Sequence, residues 1–136
     1  MKSFRILEHR ADLKIEANGK SEEEVFINMA LAMQDFLKIE PEEDLTKPIN
    51  KKISIKSIDK ESLLIDFLNE INFYIEAEKI FFTNFEFEKL LENELSADLK
   101  GFNYKSIAKN IKAATYNDTK IFQENENWKA IVLFDI

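Results

Sequence analysis

The apolar residues of this chain change period along its length, and that change limits the folds open to it. Two stretches repeat at helical spacing. Val25, Phe26, Met29, Ala30, Met33, Phe36 and Leu37 make one stripe, and Leu63, Leu64, Phe67, Leu68, Ile71, Tyr74 and Ile75 make another. Elsewhere the period is two. Leu13, Ile15 and Ala17 alternate with Lys14 and Glu16, Phe85 and Phe87 with Glu86 and Glu88, and Leu95, Ala97 and Leu99 with Ser96, Asp98 and Lys100. Alternation of this kind belongs to strands with one face buried. The order predicted is strands over 3–8 and 13–18, a helix over 21–38, a strand marked by Ile53 and Ile55, a helix from Asp59, and strands from Ile80 onward. That is an α+β pattern: a mostly antiparallel sheet with two helices packed on one face.

Local signals agree with these limits. Ser21-Glu22-Glu23-Glu24 is a capping box with three acids where a helix N-terminus favours negative charge. Asp59 caps the second helix, and Asn18-Gly19 is a turn. Residues 40–50, which hold Pro41 and Pro48, read as a loop. Ile111–Tyr116 and Lys120–Gln123 are extended, and Glu124–Asn127 is a polar turn. In the last segment Trp128, Ala130, Val132, Phe134 and Ile136 share one face.

A chain of 136 residues fits one domain, 1–136, large enough to bury a core without staples. Twelve Phe make that core aromatic. Nineteen basic against 26 acidic residues leave a net charge of −7, which repels phosphate backbones. Lys51-Lys52 is too short a basic run to offset it, so direct high-affinity nucleic-acid binding is excluded, and a protein partner or a cation suits the charge better. The absence of Cys removes disulfides, thiolate metal sites and Cys nucleophiles together. No signal peptide and no apolar run of membrane-spanning length is present, which makes the cytoplasm the expected location.

Few residues carry candidate chemistry. Phe134-Asp135-Ile136 places a carboxylate side chain beside the terminal carboxylate at the end of a strand. Such oxygens suit a hard cation, Ca²⁺ or Mg²⁺; the plainer reading of these residues alone is an ordinary edge strand whose last Asp is solvated. Asp12 opens the second strand, either as a turn Asp bonding its own backbone or as a further oxygen ligand. His9 is the only histidine; it is either a structural hydrogen-bonding residue or a base oriented by Asp12. Lys112 is either an anti-aggregation charge on a strand or a charge aimed at a partner. Thr115 and Tyr116 follow on the same element.

Four segments in this order resemble the archease family. They are Glu8-His9-Arg10-Ala11-Asp12-Leu13, Gly19 through Met33, Leu63 through Glu70, and Ile111 through Tyr116 with Val132 through Ile136. The resemblance implies a small accessory protein, not itself an enzyme. It would activate RtcB-type RNA ligases in tRNA splicing and RNA repair by promoting guanylylation of the ligase and repeated turnover. It also implies a metal site, described with calcium, at Asp12, Asp135 and Ile136, with Lys112 as the matching lysine. A chaperone-like role toward an RNA-modifying enzyme such as a tRNA methyltransferase is the alternative. The chain departs from the family pattern at Arg10, where Thr is usual, at Phe67, where Trp is usual, and at Asn117, where His is usual.

Overall fold

A computed structural model of the chain describes residues 3–9 and 12–136, with only the backbone described at 7–9. Among the described residues ten elements follow one another. Strands β1 (Phe4–His9) and β2 (Asp12–Gly19) precede helix α1 (Glu22–Leu37). Strands β3 (Ile39–Pro41) and β4 (Ile49–Lys56) lead to helix α2 (Lys60–Glu78). Four long strands end the chain: β5 (Ile80–Leu90), β6 (Glu94–Ile107), β7 (Ala113–Glu124) and β8 (Asn127–Asp135). The expected α+β architecture is present, with two helices and antiparallel pairing throughout.

The strands divide between two sheets. One has the order β1-β2-β8-β7. In the other, β6 is shared: β4 pairs along residues 94–101, β5 along 95–103, and β3 joins at 104–107. This corrects the reading of 40–50 as a loop, because Ile39–Pro41 and the start of β4 lie within ladders. Their partners are 50 or more residues away in sequence, so local composition carried no trace of the pairing.

Both helix starts form as their caps dictate. Ser21 Oγ accepts the Glu24 amide at 3.1 Å, and Asp59 Oδ1 accepts the Ser62 amide at 2.8 Å. Both ends close on lysines in the left-handed region, Lys38 and Lys79, each with φ of 54°. α1 packs on β2, β5 and β8, and α2 on β7, β4 and β5. The intervening core is continuous and aromatic, with Phe26, Phe67, Phe85 and Phe87 ring to ring at 5.5–6.5 Å. Buried Gln34 of α1 lays its carboxamide along β5, donating to Phe82 O and accepting from Phe82 N, both at 2.8 Å. Gly101 lets β5 approach β6, since a Cβ there would lie 2.0 Å from Phe81 O. No helix among the described residues is long and apolar enough to cross a membrane.

Candidate metal centre at the meeting of the chain ends

β2 and β8 run antiparallel in a register that sets Asp12 opposite Asp135. Residues directly opposed in such a pair carry their side chains on the same face, with Cβ atoms about 4.5–5.5 Å apart. The next pair inward, Leu13 and Phe134, is buried in the core. The two carboxylates therefore stand on the outer face of the sheet, Asp12 partly exposed and Asp135 exposed. The same row continues to Ala113 of β7 on one side and to the backbone of His9 on the other. The end of β8 is tied down: the Lys112 amide donates to Asp135 O at 2.8 Å.

Lys112 is itself held from α2. Asn72 donates to Ile111 O at 3.0 Å. Asn69 takes both backbone groups of Ala114, accepting from its N–H at 2.8 Å and donating to its carbonyl at 3.1 Å. One turn earlier, Asp66 accepts a short hydrogen bond from the Tyr116 hydroxyl and one of 2.5 Å from Ser57. Asp66, Asn69 and Asn72 thus grip residues 111–116 from a single edge of a helix whose remaining stripe is apolar. Sequence reading missed this clamp. Its signal was present as three polar side chains spaced by three within the buried period.

Beyond the clamp, β7 leaves its register between Thr115 and Lys120. The bulge is closed by Thr119 Oγ1 donating to Thr115 O at 2.9 Å, and Asp118 within it has φ of 55°. The Thr115 hydroxyl is buried without a hydrogen-bond partner among the described residues. Tyr116 turns toward α2 and lines a cleft of about 530 Å³ with Lys56, Ser57, Ile58, Ser62 and Asp66. Its bond to Asp66 raises the phenol above the ordinary tyrosine range, with a smaller contribution from burial.

Of the residues singled out from sequence, Asp12, Asp135, Ile136 and Lys112 meet at one end of the first sheet. Lys112 precedes β7 by one residue rather than lying within a strand; its hydrogen bond to Asp135 is made where the chain enters the ladder. Thr115 and Tyr116 belong to the adjoining bulge. The side chain of His9 and the whole of Arg10 lie outside the described residues. Among the described residues no three His, Cys, Asp or Glu side chains gather as a metal cage. Side chains at this row thus supply two carboxylates, and a carboxylate on Ile136 would be the third. An all-oxygen donor set of this size fits a hard cation that completes its shell with water or partner groups, and does not fit zinc.

The fold and this row define a class of small α+β proteins whose second and last strands pair beside a two-helix layer. The chain belongs to the archease protein family (MTH1598/TM1083), whose model matches residues 4–136. Protein archease of Methanosarcina barkeri is 38% identical over 143 aligned positions, which cover 99% of this chain and 97% of that protein. The solution structure of Methanobacterium thermoautotrophicum protein 1598 superposes with a TM-score of 0.74 at 27% identity, covering all of both chains. The crystal structure of an archease from Thermotoga maritima, described as a possible chaperone, gives 0.63 at 22% identity over 96% and 94% of the two chains, a likeness of fold.

Proposed function

We propose that this archease is a metal-binding accessory protein that activates an RtcB-type RNA ligase in the cytoplasm. It would promote guanylylation and repeated turnover of the ligase without catalysing a reaction of its own. Asp12, Asp135 and the carboxylate of Ile136 hold a divalent cation, Ca²⁺ or Mg²⁺. The observation that carries this reading is the register opposing Asp12 to Asp135, with the end of β8 fastened through Lys112. A cation bound there offsets repulsion among the carboxylates and toward phosphate oxygens. The remaining work falls to the chain itself. Asn69 and Asn72 fix the 111–114 segment, the Lys112 amide fixes Asp135, and the −7 surface favours docking on a basic partner.

A second reading is a chaperone-like modulator of an RNA-modifying enzyme such as a tRNA methyltransferase. It draws on the exposed apolar side chains Ile58, Phe73 and Tyr116, which are 89%, 58% and 60% accessible. Ligase guanylylation separates the two. The intact protein should stimulate it, whereas Asp12→Ala and a chain lacking Asp135-Ile136 should lose at least tenfold of that stimulation, the usual minimum for a lost metal site. Full stimulation by both variants would overturn the metal-based reading and favour the chaperone one.

A further inference from the structure

The outer face that bears Asp12 and Asp135 continues inward as a shallow pocket of about 290 Å³, lined by Lys14, Asp118, Lys120, Ile131 and Leu133. Its residues follow from the ladder. Lys14 is opposite Leu133, one outward row from the Asp12–Asp135 row, and Lys120 is opposite Ile131 one row further. The bulge of β7 raises Asp118 at the rim. Neither lysine has an ion-pair partner among the described residues, whereas Arg5 and Lys129 nearby are both paired. Glu16, in the Ile131 row, is engaged by Arg5 at 3.2 Å and by Lys129 at 3.9 Å. Two unpaired ammonium groups over a floor of Ile131 and Leu133 form a concave site that is cationic at its edge and apolar at its base.

We infer that this pocket binds a small phosphate monoester, such as a mononucleotide, with the phosphate between Lys14 and Lys120 and the organic body over Ile131 and Leu133. Two lysines against Asp118 leave one net positive charge at the pocket. Asp12 and Asp135 in the neighbouring row reduce its pull on an anion. A divalent cation on those carboxylates reverses that local sign, so cation and phosphate bind with positive and reciprocal coupling. Only this coupling rests on the proposed metal site; the lysine pair acts without it.

The test uses adenosine monophosphate as probe and amide chemical shifts of the full chain as readout, first with chelator and at low salt. Shifts should map to the strands around Lys14, Lys120, Ile131 and Leu133. Lys14→Gln and Lys120→Gln should each weaken binding about fivefold, Asp118→Asn should tighten it, and Lys129→Gln should leave it unchanged. Ribose 5-phosphate, lacking the planar base, should bind more weakly. No shifts at this pocket, or equal affinity in the double lysine variant, would overturn the proposal. Addition of Mg²⁺ should then tighten binding to the intact chain but not to Asp12→Ala. Lysine-dependent binding that Mg²⁺ fails to tighten would keep the anion pocket and count against the metal site alone.

Discussion

Tyr116 is 60% accessible to solvent, yet its hydroxyl is committed to the Asp66 carboxylate. A proton held more tightly in the folded chain than in the unfolded one stabilises the fold at every pH below the ordinary tyrosine value, about 10. That contribution is lost as pH rises through the raised folded value. Absorbance titration of the phenolate, taken as the difference between the intact chain and Tyr116→Phe, should show ionisation above the ordinary range. In Asp66→Ala the difference curve should move back toward about 10; an unmoved curve would mean that Asp66 does not hold this proton. Only one side of the bond was legible beforehand. Tyr116 could be singled out, but Asp66 sits within an apolar stripe and nothing in its local pattern pointed to a partner. Asp12 was legible as a candidate, whereas its role depended on a strand pairing that no local pattern encodes.

At the scale of elements, α2 does two jobs with its two edges. The apolar edge fills the core with Leu64, Phe67, Leu68 and Ile71, all fully buried. The polar edge sets the path of 111–116 and, through Lys112, the position of Asp135. Asn69→Ala would leave both backbone groups of Ala114 without their partner and should cost about 1–3 kcal/mol of stability. The same substitution should weaken divalent-cation binding, although Asn69 is not a ligand, because the end of β8 loses its anchor. Calorimetry of unfolding together with a cation titration checks both effects; lowered stability with unchanged cation affinity would uncouple α2 from the site. The helices themselves were readable from Ser21, Asp59 and the two stripes, since caps and helical spacing are local properties. The short strand β3 was not, because Ile39, Glu40 and Pro41 become a strand only by lying against β6. The bulge left a partial trace, as the break in extended pattern between Tyr116 and Lys120.

At the scale of the whole molecule, the path of the chain places its second strand, β2, and its last, β8, side by side in the middle of one sheet. The intervening hundred or so residues build the helical layer and second sheet that hold them there. Alternation in β2 and β8 revealed which face of each is apolar: Ile15, Ala17, Ala130, Val132 and Phe134 are fully buried, as that pattern requires. It could not reveal that the two outer faces are one surface. Once they are joined, carboxylates at one end and lysines further along form a graded strip on an otherwise acidic protein, and the proposed cation site is its starting point. Titration calorimetry of the intact chain with Ca²⁺, and separately with Mg²⁺, tests that point directly. One ion should bind per chain, and affinity should fall by at least tenfold in Asp12→Asn and in Asp135→Asn. An intact chain that binds neither ion, or variants that bind as tightly as the intact chain, would contradict the account.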